Sequence, residues 1–198
     1  MEEVHSPIMS SLKDNLVHLK IPLEIILSAT NNFDEENVMS KCEIGIRYTG
    51  RIMWSDELID IIAWRWLNKE RVEQQFWREI SLLSCLRHKN VVSHVGFCDE
   101  NGEKIIVNKL QKGGSLSKYL SDTMLLTWVR RLEISVGIAH ALSYIHYDEP
   151  RDFSIIHRNI DSNTVILSDD WVPKLSNFEC SMRIKASQKH NSFHTNEL

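Results

Sequence analysis

The chain has 198 residues, of which 42% are hydrophobic, and it carries 23 Lys and Arg residues against 27 Asp and Glu residues. This composition is typical of a globular domain and excludes collagen, low-complexity disorder and small disulfide-stapled proteins. The formal net charge of −4 argues against nucleic-acid binding, because no basic stripe neutralises phosphates. No apolar run is long enough to span a membrane and the N-terminus does not resemble a signal peptide, so we expect a cytoplasmic protein.

The cysteines and histidines form no metal-binding motif. The four cysteines are scattered without C-x-x-C spacing, and no two of the nine histidines share a periodic helix at metal-ligand spacing with a carboxylate to orient them. We therefore expect reduced cysteines and no metal site.

The first half of the chain predicts a leader followed by strands and one helix. Residues 1–20 are polar and predict a flexible leader, and residues 30–37, which follow an apolar patch, suit a short helix ending in a turn. Apolar residues at helical spacing predict a helix from Lys69 to His88. Alternating polarity predicts strands near residues 38–42, 46–54 and 58–66.

The second half predicts a hairpin, a long helix and short strands. Asn101-Gly102 favours a tight turn between β-rich runs at Val91–Cys98 and Lys104–Leu110. Ser115 is placed to cap a short helix through Leu120. Further short strands are predicted near residues 155–156, 164–167 and 172–176.

The long helix predicted over residues 127–146 is apolar on two sides. Leu132, Val136 and Ala139 lie on one side, and a helix with two apolar sides requires cover on both. We expect part of this surface to be exposed, to promote self-association and to be covered by a partner. The residues expected to be covered by that partner are Ile134, Ile138, Ala141 and Ile145.

Several short sequence segments, and their order along the chain, resemble the plant receptor-like kinase branch of the protein kinase family. Ala29-Thr30-Asn31-Asn32-Phe33 is similar to the segment that leads into such domains, and Thr127–Ile134 is similar to the start of a long helix in their second lobe. Ile156-His157-Arg158 lies where their catalytic loop begins. The resemblance runs from about Ile21 to Met182.

The resemblance implies an α+β fold, with an antiparallel-sheet N-lobe, one helix named αC and an incomplete helical C-lobe. It implies an N-lobe over residues 21–110 and a partial C-lobe over 111–182. The polar composition of the remaining residues, 183–198, predicts a disordered tail. No A-P-E signature follows Phe178, so we expect a truncated domain.

The nucleotide-binding motifs implied by the resemblance are degenerate. The glycine-rich loop falls on Ser40–Gly45, where only the last glycine remains and Glu43 adds negative charge near the phosphates. Arg47 takes the apolar position that covers the adenine, with Ala63 expected as its strand partner, so that the protein itself can fill the pocket. The vestigial pocket implied in this way consists of Gly45, Arg47, Ala63, Arg65, Glu79, Asn108 and Ile166.

Arg65 replaces the lysine that pairs with phosphate in the family, and Glu79 takes the place of the αC carboxylate. A guanidinium is not equivalent to an ammonium group. We expect Arg65 and Glu79 to form a structural ion pair.

The catalytic positions implied by the resemblance have also lost their carboxylates. Asn159 replaces the aspartate that accepts the substrate proton, and Asn177 replaces the aspartate that binds Mg²⁺. Thr164 replaces a second metal ligand, and Asp161 replaces a lysine near the transferred phosphate.

These departures predict a catalytically inactive kinase relative, a pseudokinase, that acts in signalling by binding a protein, with an intact kinase as a candidate partner. No cofactor is expected, and membrane contact would come only through that partner. The alternatives are a weak or atypical Ser/Thr kinase that binds ATP and Mg²⁺, and a non-functional truncated product.

Overall fold

The computed structural model describes residues 14–67, 69–147 and 151–188. The chain divides into two compact units. The first unit comprises the chain up to Arg87 and Val92–Gln111, and the second comprises His88–Val91 and the chain from Lys112 onward.

The first unit is a five-stranded antiparallel sheet with a helix on each face, in the strand order β1-β2-β3-β5-β4. The three strands predicted between residues 38 and 66 are confirmed as β1 to β3. The elements of this unit are α1 (Leu23–Ala29), β1 (Val38–Cys42), β2 (Gly45–Trp54), β3 (Glu57–Trp66), α2 (Lys69–Leu83), β4 (His94–Glu100) and β5 (Glu103–Lys109).

Side chains alternate between the two faces of this sheet, because successive residues of a strand point to opposite sides. On the first face, Trp64 and Trp66 pack with Phe76 and Ile80 of α2. We call this the α2 face. The opposite face packs with α1 and is called the α1 face; its buried residues include Ile61, Ala63, Ile105 and Val107.

Local turns explain how the strands and helices of the first unit end. Asn101 and Gly102 both have positive φ angles, of 49° and 72°, as the predicted tight hairpin turn requires. Helix α2 ends at Leu83 instead of His88, because the next backbone bonds, such as that from the Leu86 amide to the Leu83 carbonyl, tighten to three-residue spacing.

The predicted leader differs from the structure at its C-terminal end. Leu16 and Leu19 are each only 6% exposed and belong to the core on the α2 face. The Ile21 amide donates to the Phe97 carbonyl oxygen, so this segment is attached to the edge strand β4. Apolar burial therefore fixes residues that we expected to be flexible, while residues 1–13 lie outside the described chain.

The segment predicted as a short helix, residues 30–37, contains a turn and a single 3₁₀ turn instead. Asn31, Asn32 and Phe33 have positive φ angles, which end α1 sharply. Asp34 then caps the 3₁₀ turn Glu35–Asn37 by accepting a hydrogen bond from the Glu36 amide.

The second unit combines one long helix with two small antiparallel sheets, one of β6, β8 and β9 and one of β7 and β10. Ser115 does not cap the following 3₁₀ turn, because its hydroxyl pairs with that of Ser117. The elements of this unit are β6 (Gly114–Ser115), α3 (Trp128–Tyr147), β7 (Phe153–Ile156), β8 (Val165–Leu167), β9 (Pro173–Leu175) and β10 (Met182–Lys185).

The disordered tail predicted from residue 183 is wrong for residues 183–188. Strand β10 pairs with β7 along its whole length, Ile184 is only 8% exposed, and a 3₁₀ turn follows at Ala186–Gln188. The pairing is non-local, so the polar composition of this segment did not reveal it. Residues 189–198 lie outside the described chain.

Helix α3 buries one apolar side and exposes the other. Ile134, Ala141 and Ile145 are at most 4% exposed, and this side packs on β7 and β9. Leu132 and Val136 are 64% and 54% exposed. The prediction of an exposed apolar surface is confirmed, but it lies on the side opposite to the one we expected a partner to cover. Among the described helices, none is long and apolar enough to cross a membrane.

Candidate functional site

The predicted pocket residues of the first unit are divided between the two faces of the sheet. Arg47 is in register with Trp64 of β3, not with Ala63 as expected, and Gly45 is in register with Trp66. Asn108 is in register with Ile62, which lies on the same side as Trp64. Gly45, Arg47 and Asn108 therefore share the α2 face.

Trp64 fills the α2 face beside the degenerate glycine-rich loop. Its side chain is only 4% exposed, and the Arg47 guanidinium carbon lies 4.4 Å from the centroid of its ring. The ring centroids of Trp64 and Trp66 are 4.2 Å apart. Neither indole N–H has a hydrogen-bond partner among the described residues, so both rings act as apolar filling.

Gly45 is required by this packing. A Cβ atom at this position would lie 2.6 Å from the Arg65 carbonyl oxygen and 2.6 Å from Trp64 Nε1. The single glycine that remains in the predicted loop therefore has a packing role that involves no phosphate. The loop itself is a two-residue turn, Glu43-Ile44, between β1 and β2.

We expect Gly45→Ala to lower the free energy of unfolding by about 1–3 kcal/mol, because the added methyl group must displace backbone or the buried indole. Urea denaturation followed by tryptophan fluorescence measures this change. Glu43→Ala in the exposed turn is the matched control and should change stability by less than about 0.5 kcal/mol. Equal stabilities for the two variants would contradict the packing role of Gly45.

Ala63 and Arg65 lie on the α1 face. Ala63 is fully buried and in register with Tyr48. The Arg65 guanidinium donates from Nε and from Nη2 to the two carboxylate oxygens of Glu103, at 2.8 Å each, and lies 4.4 Å from the centroid of the Phe33 ring. The hydrogen bonds to Glu103 raise the pKa of Arg65.

The expected pair between Arg65 and Glu79 is therefore wrong. Glu79 is 1% exposed on α2, between Phe76 and Leu83, and that helix packs on the other side of β3 from Arg65. Successive residues of a strand point to opposite faces of the sheet, so Trp64 faces α2 and the neighbouring Arg65 points away from Glu79.

We expect Arg65→Lys to lower the free energy of unfolding by about 1–2 kcal/mol without improving ATP binding. Lysine cannot reproduce the bidentate contact with Glu103, and its ammonium group would lie on the α1 face. Chemical denaturation and an ATP thermal-shift titration measure the two effects. A gain in ATP affinity would place residue 65 in a nucleotide site and refute this assignment.

Asn108 forms a buried polar contact with His94. Asn108 Oδ1 lies 3.0 Å from His94 Nδ1, which donates to it. Burial lowers the pKa of His94 to about 4. The side chain of Asn108 is thus engaged within the first unit.

In the second unit, His157 anchors the predicted catalytic loop. It is 1% exposed, donates from Nε2 to the Ser176 carbonyl oxygen at 3.0 Å and packs edge-on against Phe178, with ring centroids 4.6 Å apart. Burial lowers the pKa of His157 to about 4. The Ser181 hydroxyl donates to the His157 carbonyl oxygen at 3.0 Å. This bond links the segment that follows Phe178 to the start of the predicted catalytic loop.

Asn159 contacts another residue that departs from the family pattern. Its amide Nδ2 donates to Glu179 Oε1 at 3.3 Å, and Glu179 is only 6% exposed. Glu179 is the third residue of Asn177-Phe178-Glu179, which aligns with the D-F-G motif of the kinases that the sequence resembles and has glutamate where that motif has glycine. The two substitutions are therefore physically linked.

Asp161 and Thr164 are hydrogen-bonded to each other within one turn. Asp161 accepts hydrogen bonds from the amides of Asn163 and Thr164, which lowers its pKa; the bond from Thr164 contributes most. The Thr164 hydroxyl accepts from the Asp161 amide and donates to the Asp161 carbonyl oxygen. Thr164 is 3% exposed, so its hydroxyl is used for the turn.

Asn177 and Ile166 complete the predicted site in the second unit. Asn177 has a φ angle of 63°, and its Oδ1 lies 3.3 Å from the Ser176 hydroxyl, which donates its shorter hydrogen bond, of 2.9 Å, to the Thr164 carbonyl oxygen. Ile166 is half-buried on β8, in register with Ser115 and Lys174. The structure therefore brings Asn159 close to Glu179, and Asp161 to Thr164.

These residues do not fit a bound Mg²⁺–ATP group. Mg²⁺ prefers anionic oxygen ligands, whereas positions 159, 164 and 177 carry amide or hydroxyl groups that already have protein partners. Among the residues that the structure describes, no cluster of three His, Cys, Asp or Glu side chains could hold a metal ion.

The sequence did not indicate roles for Trp64, Trp66 and Glu103, and it identified Glu179 as an acid at a glycine position of the family without indicating its contact with Asn159. The signal for the first two was the spacing of two large apolar residues on either side of Arg65 in a strand of period two. Glu103 and Glu179 act through contacts that are distant in sequence, and no local pattern indicates them.

Comparisons with known proteins decide the family. A family model described as protein tyrosine and serine/threonine kinase matches residues 35–197. The chain belongs to this kinase family. The α+β architecture described above is that of a kinase-like domain, as expected.

Several similar proteins are plant receptor-like kinases, which confirms the predicted branch of the family. The chain is 38% identical over 164 residues to receptor-like protein kinase ANXUR2 of Arabidopsis thaliana, covering 82% of this chain and 19% of that protein. It is 35% identical over 174 residues to FERONIA of the same plant, covering 87% of this chain and 19% of that protein. The chain thus spans about a fifth of the length of these relatives.

Proposed function

We propose that this protein is a pseudokinase, a kinase-like domain that does not transfer phosphate and that acts in signalling by binding another protein. The observation that carries the proposal is the pair of amides, Asn159 and Asn177, at the positions of the proton-accepting and metal-binding carboxylates. An amide neither accepts a proton near neutral pH nor supplies an anionic metal ligand. The contact of Asn159 with Glu179 supports it further.

The degenerate nucleotide site supports the same proposal. Trp64 and Arg47 occupy the α2 face next to Gly45, and Arg65 is engaged with Glu103 on the other face. Since most groups implied in phosphate binding are absent or engaged, we propose that the protein requires no cofactor. We propose that the protein is cytoplasmic and that its partner is an intact kinase, through which it could contact the membrane.

A transfer assay tests the proposal. The protein is incubated with radiolabelled ATP and Mg²⁺, with itself and a generic protein substrate as acceptors, beside an active receptor-like kinase as positive control. We expect no more label than in the Asn159→Ala variant. Incorporation above that control would overturn the proposal.

A thermal-shift series tests nucleotide binding independently of transfer. We expect ATP to change the melting temperature only slightly, and to the same extent with and without Mg²⁺. A ligand that binds the native state at 100 times its Kd would stabilise it by about 2.7 kcal/mol. A large stabilisation that requires Mg²⁺ would contradict the proposed loss of the metal site.

One observation favours the alternative of a weak, atypical Ser/Thr kinase. Glu179 places a carboxylate oxygen 3.3 Å from Asn159 Nδ2, beside the position of the lost aspartate. If this carboxylate accepts the substrate proton, the unsubstituted protein will incorporate label and the Glu179→Gln variant will not. A non-functional product, the remaining alternative, would show neither transfer nor saturable binding to an intact kinase.

A further inference from the structure

A buried ammonium group lies between α2 and the sheet of the first unit. Lys104 of β5 is only 8% exposed, and its Nζ lies 2.7 Å from Glu73 Oε2 of α2 and 2.9 Å from Asp99 Oδ1 of β4. Burying a charge costs free energy unless an opposite charge compensates it. Carboxylates from two different elements therefore hold one buried cation, and we call these three side chains the Lys104 triad.

Helix α2 surrounds this cation with one of its faces. Glu73, Phe76 and Trp77 are three and four positions apart, which places them on the same side of the helix. Lys104 Nζ lies 5.2 Å from the centroid of the Phe76 ring and 5.8 Å from that of the Trp77 ring. The Trp77 indole N–H donates to Glu73 Oε1 at 2.7 Å. Both carboxylate oxygens of Glu73 thus accept hydrogen bonds, which fixes the orientation of its side chain.

The triad gives direction to a contact that is otherwise apolar. Helix α2 packs on the sheet through rings such as Phe76 and Phe97, whose centroids are 6.2 Å apart. Hydrophobic contact is non-directional, so the rings alone would allow α2 to slide or rotate on the sheet. A charge-assisted hydrogen bond, in contrast, requires a short distance and a narrow range of angles.

Lys104 remains charged in this buried position. Burial acts to lower the pKa of Lys104, but the hydrogen bonds and the charges of Glu73 and Asp99 together raise it. The ion pairs of the triad are therefore present at neutral pH.

We propose that the Lys104 triad holds α2 in a single position on the sheet, and that Glu73 is the positioning residue of the helix. Asp99 is in register with Lys104 across β4 and β5, so its contact joins two strands that backbone hydrogen bonds already connect. Loss of the Glu73 charge should therefore release α2, whereas loss of the Asp99 charge should not. This inference does not depend on the proposed function, because no residue of the triad belongs to the nucleotide or catalytic positions.

Native-state hydrogen exchange of the full chain tests the two contacts separately. We expect Glu73→Gln to raise the exchange rates of the α2 amides by about tenfold or more, because the helix then opens without the sheet, and to leave those of β4 and β5 within about twofold. Asp99→Asn makes the same change from carboxylate to amide and should leave the rates of α2 within about twofold. Each variant keeps one carboxylate beside Lys104, so the buried charge stays compensated and we expect both variants to fold.

Glu35→Gln is the matched control in an exposed ion pair. Glu35 contacts Lys41 at 2.7 Å, the distance found between Lys104 and Glu73, but the two side chains are 78% and 51% exposed. Exposed pairs contribute little to stability, so the exchange rates of α2 should stay within about twofold.

The Trp77 indole N–H provides a second measurement by nuclear magnetic resonance. Its resonance should shift in Glu73→Gln, where a neutral amide replaces the charged acceptor, and should stay in place in Asp99→Asn. Unchanged α2 exchange in Glu73→Gln would overturn the proposal. Equal acceleration of α2 and of the sheet, or equal effects of Glu73→Gln and Asp99→Asn on α2, would also overturn it.

Discussion

Acidification below pH 6.5 is expected to destabilise both units, because each contains a buried neutral histidine. Burial lowers the pKa of His94 and of His157 from 6.5 to about 4 in the folded protein. Between these values the unfolded chain binds more protons than the folded chain. The stability contributed by the neutral rings is therefore complete above pH 6.5 and is lost as the pH falls towards 4, by about 2 kcal/mol per histidine at about pH 5.

The hydrogen bonds of His157 also favour the neutral ring, and so they too predict a loss of stability as the pH falls. Its Nε2 donates to the Ser176 carbonyl oxygen and its Nδ1 accepts from the Asn159 amide at 3.3 Å. A proton added at Nδ1 would meet that N–H donor, so the charged ring loses a bond as well as hydration.

Urea denaturation at a series of pH values between about 4 and 7 measures the proton uptake on unfolding. We expect His94→Gln and His157→Gln each to remove about one proton from this uptake, and the double variant to remove about two. Glutamine keeps a side-chain N–H donor in both places. A single variant with the same pH dependence as the unsubstituted protein would contradict the assignment for that histidine.

The Asn159→Asp variant is expected to be less stable and still inactive. An aspartate at position 159 would place two carboxylates about 3.3 Å apart in a largely buried site, where Asn159 now donates to Glu179. The lost hydrogen bond and the repulsion should lower the free energy of unfolding by about 2–4 kcal/mol at neutral pH. Phosphate transfer should stay absent, because position 177 still lacks its carboxylate.

A double-mutant cycle with Glu179→Gln measures the coupling of the two positions. Asn159→Asp/Glu179→Gln should recover most of the stability, since the glutamine amide donates to the new carboxylate. The penalty in Asn159→Asp should also decrease as the pH falls below about 5, when the carboxyl pair shares a proton. Additive effects of the two substitutions would show that the contact carries no coupling.

Local sequence patterns predicted most elements of the fold. Strands β1 to β3, the turn at Asn101-Gly102 and the helix over residues 127–146 all rest on periodicity or on turn chemistry within a few residues. The pairing of β10 with β7 and the burial of Leu16 and Leu19 depend on partners that are distant in sequence. Polar composition alone therefore gave the wrong result at both ends of the described chain.

The sequence predicted which positions the site residues occupy more accurately than it predicted the face of the sheet on which their side chains lie. A shift of one residue along a strand moves a side chain to the other face of the sheet. Placing Arg65 at the lysine position by similarity thus missed that Trp64 is the residue facing α2. For α3, both sides of the helix are apolar, so the sequence could not indicate which side the chain covers by itself.

The ladder between β7 and β10 closes residues 157–181 into a loop whose two ends are held together. Asn159, Asp161, Thr164 and Asn177 all lie within this loop. Native-state hydrogen exchange should therefore show their segment opening together with the amides of Ser154 and Ile184, which are paired in this ladder, as one cooperative unit with a common protection factor. A protein that binds this loop would slow exchange in both strands at once, even if it contacts neither.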